Sequence, residues 1–304
     1  MSQTHLASVP DPSINNRSAT QQSPQLWQKP IRSPEIQAEV ERIGTIDPYV
    51  AVGRDEALFT CLNNWRDRRT CGRIMTVDRL GLFKDLDYYT NQQTRRRGDL
   101  IRMPAPVAYI EIDDPGNGKN VFLSILDFLA NPVSCGNPRD LRLRTWATIK
   151  KCGVKILVVN YADLLLFSGL NELMRISEKC GISVILCGTS RLDEILDAKH
   201  RKRYLPIHNT FLNHHKLSVL SASEIATVIE QWENTLGCSK SMGLATDERI
   251  VKILNQLSDG QIQPLYDLLK RISIWHLDNP HVEINVNNVS TLLTTVQAPQ
   301  VGLE

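Results

Sequence analysis

No CxxC pair occurs among the seven cysteines, Cys61, Cys71, Cys135, Cys152, Cys180, Cys187 and Cys238. Their number is odd and several lie in apolar segments. A metal site or a disulfide framework is therefore not expected, and a reducing, cytoplasmic setting is. No apolar run approaches the ~18 residues a membrane span needs, and none of signal-peptide type opens the sequence, so no membrane partner is expected. An excess of one charge is lacking as well. The 304 residues carry 35 Lys and Arg against 33 Asp and Glu, a formal net charge of +2. That excludes a strongly basic nucleic-acid binder but leaves room for local basic patches.

What is present is an ordinary globular composition, 42% hydrophobic and 22% charged, which excludes a disordered, collagenous or coiled-coil chain. The length suits a large domain with a smaller one. Residues 1–34 hold five of the fifteen prolines and few large apolar side chains. They cannot bury enough surface to offset their ordering, so a flexible tail is expected there, with another at 297–304. Between 35 and 220, short apolar runs alternate with helical patterns. Strands are predicted at 72–76, 107–112, 155–159, 182–187 and 214–217, with helices between them at 82–89, 121–129, 139–151 and 170–179. Two helices precede them, at about 33–42 and 55–69. Alternating strands and helices of this kind predict an α/β fold with a parallel sheet covered on both faces. From 221 to 296 the pattern is helical, opening on a Ser221–Glu224 capping box, and a small all-α domain is expected. Trp65, Trp146, Trp232 and Trp275 fall at helical spacing and read as core. His214-His215 lacks neighbouring ligand types, so no metal is expected there.

An α/β domain followed by a small helical one is the order of AAA+ nucleotide-binding proteins. Several local segments narrow this: Gln37-Ala-Glu-Val40, Lys151-Cys-Gly-Val154, Val158-Val-Asn-Tyr-Ala-Asp163, Ile182-Ser-Val-Ile-Leu-Cys-Gly-Thr-Ser-Arg-Leu-Asp193 and Glu230-Gln-Trp-Glu233. On these the chain, from about 33 to 296, resembles the TniB/TnsC family, the AAA+ regulators of bacterial DNA transposons, some of them CRISPR-associated. The resemblance implies a P-loop-NTPase-like sheet with a helical lid and nucleotide-driven assembly into oligomers on DNA.

The nucleotide elements that the family uses are degraded here. A P-loop, G-x-x-x-x-G-K-[ST], needs glycines for close approach of the backbone, a lysine for the phosphates and a hydroxyl for Mg²⁺. After the first strand this chain reads Thr76-Val-Asp-Arg-Leu-Gly81-Leu82-Phe83. Thr76, Leu82 and Phe83 stand at the first Gly, the Lys and the hydroxyl, and Gly81 alone is kept. Asp78 puts a carboxylate where an anion would dock, and Lys84 comes two positions late. Asn160 and Tyr161 stand where the family carries its metal-binding Asp and water-activating Glu. Neither offers a charge or a base at neutral pH. Asp163 matches a further family acid. No Arg occurs in Pro206–Phe211, where the family's trans-acting arginine lies. Pro264 stands at the lid's sensor arginine, and Thr189 keeps the first sensor position. A hydrogen bond to a charged group is worth about 1.5–3 kcal/mol, and several of them are missing together. The expectation is a pseudo-ATPase without cofactor.

A second Gly-Lys, Gly118-Lys119, follows the second long strand at a helix start. It lacks the upstream Gly and the Ser or Thr, and three acids, Glu111, Asp113 and Asp114, precede it. It would be the site of a residual ATPase. By the resemblance, Lys119, Asn137 and Arg139 fall on loops that face DNA, whereas Pro115 replaces a basic residue of some relatives. Arg95-Arg-Arg97 and Lys199–Arg203 are further basic clusters, either solvated loops or contacts to DNA. The resemblance implies double-stranded, non-specifically bound DNA as a partner, with transposition proteins: a transposase, a targeting factor or an active paralogue. The alternatives are the residual ATPase and an adaptor that binds protein but not DNA.

Overall fold

The computed structural model describes residues 32–97, 100–113, 115–133, 135–197, 202–236 and 242–294. Both expected tails lie outside this set apart from 32–34, as do Asp114, Cys238 and most of the Lys199–Arg203 cluster. Helix α1 (Pro34–Thr45) opens on a Ser33 cap and a proline at its first turn. Arg32 forms an ion pair with Asp278 at 2.7 Å. Helix α2 (Gly53–Arg68) follows and ends on Arg69 in the left-handed region. Strand β1 (Gly72–Met75) leads through three residues into α3 (Arg79–Gln93).

A hairpin of β2 (Arg96–Arg97) and β3 (Leu100–Ile101) then precedes β4 (Val107–Glu111). The remaining α/β elements are α4 (Gly118–Phe128), α5 (Pro138–Cys152), β5 (Ile156–Asn160), α6 (Phe167–Cys180), β6 (Ser183–Gly188), α7 (Ser190–Leu196), α8 (Leu205–Thr210) and β7 (Asn213–Lys216). The lid consists of α9 (Ala222–Leu236), α10 (Glu248–Ser258), α11 (Ile262–Asp278) and α12 (Val286–Thr294).

The five-stranded sheet runs β4-β5-β6-β1-β7, and every pairing is parallel. All five residues of β5 and all six of β6 are buried, as a sheet covered on both faces requires. Along β5 the side chains alternate. Leu157 and Val159 join the core under α4, α5 and α6, with Phe122, Ile125 and Leu173. Ile156 and Val158 join the opposite core under α2 and α3, with Leu58, Leu62, Leu82 and Leu86. The lid has its own core around Trp232, Tyr266, Leu254 and Ile272, and Ile43 of α1 is buried in it. The expected division at residue 221 places α1 in the α/β unit, yet its one buried side chain belongs to the lid.

Helices α7 and α8 and the β2–β3 hairpin have no counterpart in the sequence reading. Seven, six and two-residue elements are too short for a periodic signal. Of the four tryptophans read as core, Trp232 is fully buried, while Trp65, Trp146 and Trp275 are half-buried. All six described cysteines are free. Among the described residues, no helix is long and apolar enough to cross a membrane.

Candidate nucleotide site

In a parallel sheet of this kind a ligand sits outside the carboxyl ends of the strands. Here that edge gathers the β1–α3 connection, the ends of β5 and β6, and the first turn of α11. The connection is only Thr76, Val77 and Asp78, because Arg79 and Leu80 are already helical. Gly81 thus lies in the first turn of α3 rather than in a phosphate-cradling loop.

A guanidinium and two amides that would face a phosphate are already engaged. Asp78 is the N-cap of α3 and is 2% exposed. Its Oδ1 accepts the Gly81 N–H at 3.0 Å. Its Oδ2 accepts from Arg54 Nη2 at 3.0 Å and from the Ile262 N–H of the lid at 3.4 Å. A helix N-terminus, a guanidinium and a lid amide therefore converge on one internal carboxylate, at the place where this fold offers its positive field to an anion. Thr76 serves the same turn, its hydroxyl accepting the Asp78 N–H at 2.9 Å. Gly81 is required for a packing reason. A Cβ there would lie 2.2 Å from Asp78 Oδ2 and 2.5 Å from Arg54 Nη2.

Arg54 is fixed from behind as well. Its Nη1 donates to the Ser218 carbonyl at 2.8 Å, and its backbone N–H donates to Glu224 at 2.8 Å. Asp55 accepts from Tyr49, the Val52 N–H and Arg54. Asp85 completes this buried acidic group. Burial, then the neighbouring Asp55 carboxylate, pushes its pKa up to about 8, so it is held protonated at neutral pH.

At the ends of β5 and β6 most of the polar groups are also paired off. The Asn160 amide donates to the Tyr109 hydroxyl at 3.0 Å and its oxygen accepts the Tyr161 N–H. Tyr161 adopts the left-handed region, φ 55°, with the Arg79 guanidinium 5.8 Å from its ring centroid. Asp163 is buried and accepts from Thr189 at 2.7 Å and from Arg79 at 3.2 Å. This set does not fit Mg·ATP. Asp163 Oδ2 is already tied to a cation and a hydroxyl, which leaves only its buried Oδ1 without a partner, and among the described residues no lysine reaches the α3 N-terminus. Lys84 points into the lid interface, donating to the Asp47 carbonyl at 2.9 Å with its ammonium 5.0 Å from the Tyr266 ring centroid. Leu82 is buried in the core under α3, and Phe83 packs toward Tyr109. Pro264 occupies the first turn of α11, and the segment before β7 is α8, which presents His208 to Asp197 at 3.0 Å.

Gly118 and Lys119 do open a helix, α4, but its first amides are taken. The Asn117 side chain accepts from the N–H groups of Lys119 and Asn120. Asn137 similarly caps α5, accepting the Asp140 N–H at 2.9 Å and donating to the Asp140 carboxylate. Arg139 is exposed in the first turn of α5. Helices α4 and α5 pack together, so Lys119 and Arg139 share the carboxyl edge of the sheet.

The sequence reading noted Asp78 but missed its partners Arg54 and Ile262, which are 24 and 184 residues away. It also missed Arg73, an arginine buried on the interior strand β1. Arg73 pairs with Asp193 at 2.6 Å and with Asp197 at 3.4 Å. That pair gives the Arg-Leu-Asp stretch a structural reason: Leu192 enters the core and Asp193 neutralises Arg73.

The fold and strand order are those of an AAA+ P-loop-NTPase-like protein with a helical lid. Residues 72–196 match the AAA domain family. The structure is similar to the ORC2 protein of Aeropyrum pernix, solved as ADPNP-ADP complexes. That match has a TM-score of 0.59 and 14% identity, over 84% of this chain and 71% of that one. It is also similar to a chain of the Drosophila ORC bound to DNA, with a TM-score of 0.54 and 13% identity, over 95% of this chain and 71% of that one. No curated protein matches the sequence.

Proposed function

We propose that this chain is a nucleotide-independent AAA+-like protein that acts in DNA transposition or transposon-derived target selection, binding duplex DNA together with transposition proteins. One observation carries the reading. Asp78 supplies from within the chain the negative charge that a nucleotide phosphate supplies elsewhere in this fold, and it ties Arg54, α3 and the lid together. A bound phosphate would have to displace a 2%-exposed carboxylate from three donors and sit beside it. The missing lysine and the engaged Asn160 and Asp163 support the absence of hydrolysis. The transposition role is supported by the resemblance of the motifs to TniB/TnsC proteins. A DNA role is also in keeping with the likeness in fold to an ORC bound to DNA.

The residual-ATPase reading would place phosphate at Gly118-Lys119. It is disfavoured by the Asn117 cap, which holds the amides a phosphate would need. The test is duplex DNA binding by the full chain without nucleotide, with Mg·ADP and with Mg·ATP, alongside calorimetric titration of Mg·ATP and phosphate release. Unchanged DNA affinity, no heat and no turnover are expected. Micromolar Mg·ATP binding would overturn the reading, and its loss in Lys119→Ala would favour the second one.

A further inference from the structure

The opposite end of the sheet, where the strands begin, carries charge that the nucleotide site does not use. The exit of α5 and the segment leading into β4 are knit together there, the Ala105 N–H donating to the Cys152 carbonyl and the Lys155 N–H to the Pro106 carbonyl, both at 2.8 Å. Two grooves, of about 430 and 500 Å³, meet along Gln93 and Pro106. The first is lined by Arg66, Arg69 and Lys155, the second by Arg95 and Arg102. Among the described residues, the one carboxylate on either wall is Asp67, which is already paired with Arg66 at 3.0 Å. Lys150 and Lys151 are exposed in the last turn of α5, beside this edge.

Among the described residues, Arg69, Arg95, Arg102, Lys150, Lys151 and Lys155 form no ion pair. Cations in the last turns of α2 and α5 complement the helix dipoles. That accounts for Arg66, Lys150 and Lys151. It does not account for Arg95 and Arg102 beside the hairpin, or for Lys155 at the start of β5. Unpaired like charges lining one continuous groove repel each other, and a polyanion relieves that repulsion.

We infer that this groove binds the phosphodiester backbone of duplex DNA, at the end of the sheet opposite Lys119 and Arg139. The inference rests on the DNA-binding part of the proposed function. The groove wall offers guanidinium, ammonium and the Gln92 and Gln93 amides, all groups that contact phosphate and sugar. Among the described residues it presents no aromatic ring and so no stacking platform of the kind single strands use.

The experiment is fluorescence anisotropy of the full chain with a labelled mixed-sequence duplex, titrated between 50 and about 200 mM salt. The variant Arg102→Gln/Lys155→Gln removes one cation from each groove. The control Lys216→Gln/Lys252→Gln removes two exposed cations elsewhere. Each phosphate contact contributes about 0.9 to the slope of log K against log salt, so the groove variant should lose about 1.8 from the slope and the control nothing. Thermal melting should be unchanged in both. The inference is overturned if the groove variant keeps the wild-type slope, or if the slope falls only in Lys119→Gln/Arg139→Gln. Tighter binding of a single strand or an RNA duplex also overturns it. A wild-type chain that binds no duplex at low salt defeats the DNA-binding reading itself, and it does so without any variant.

Discussion

Replacing Asp78 by Ala tests whether an internal carboxylate stands in for a bound anion. The change removes the cap of α3, leaves the Arg54 guanidinium, 5% exposed, with the Ser218 carbonyl and, as its remaining carboxylate, a 3.4 Å approach to Asp55, and frees the Ile262 N–H inside the lid interface. Breaking a buried ion pair by deleting one partner costs about 3–5 kcal/mol. Loss of an N-cap costs about 1 kcal/mol on its own, but the same oxygens do both, so the sum is not taken. At about 2 °C per kcal/mol for a chain of this size, Asp78→Ala should melt about 6–10 °C below wild type. Asp78→Asn keeps a capping oxygen and loses the charge, so it should fall between the two.

The decisive part is rescue. The space left in Asp78→Ala keeps the helix N-terminus, the guanidinium and the lid amide, so about 10 mM sulfate or pyrophosphate should restore several degrees relative to chloride at equal ionic strength. Wild type should show no anion-specific gain. Differential scanning fluorimetry and circular dichroism read both effects. A variant that melts within a degree or two of wild type would refute the reasoning, as would anions that stabilise both proteins equally.

Two further outcomes follow from the same neighbourhood. Gly81→Ala should destabilise by about 1–3 kcal/mol in urea unfolding, because its Cβ lands on the Asp78–Arg54 pair; the same change at an open helical site stabilises. Asp85 is protonated in the fold below about pH 8 but ionised in the unfolded chain above about pH 4, so folding takes up a proton in that window and stability falls as pH rises through it. Asp55, Asp78 and Arg54 face this group, and Asp85→Asn, which mimics the protonated acid, should therefore melt above wild type at pH 8.5 and converge with it near pH 4. A gap independent of pH would refute that assignment.

The parts legible in the sequence are those with a local signature. β5 and β6 announce themselves as β-branched apolar runs, and Ser33 and Ser221 mark helix starts that the structure keeps. That Leu82 and Phe83 stand where a P-loop spacing calls for a lysine and a hydroxyl could be read from the residues in order. What surrounds them could not. The pairing of Asp78 with Arg54 and Ile262, and of Arg73 with Asp193, joins residues far apart in the chain, and nothing local distinguishes a buried arginine from a solvated one. Asn137 reads as a loop position able to meet DNA, whereas its side chain caps α5; the Asn117 cap of α4 has no counterpart in the sequence reading.

The placement of Ile43 among the lid helices bears on how this polypeptide acquires its shape. Its first described helix finds its partners only when the final ones have been synthesised, and the Arg32–Asp278 pair spans 246 positions. Pairings so distant along the chain are slow to form and come late. During translation the sheet could assemble while α1 waited with its apolar stripe bare. A fragment cut at residue 221 would inherit a lid with a vacant slot, so the two halves are poor candidates for separate expression.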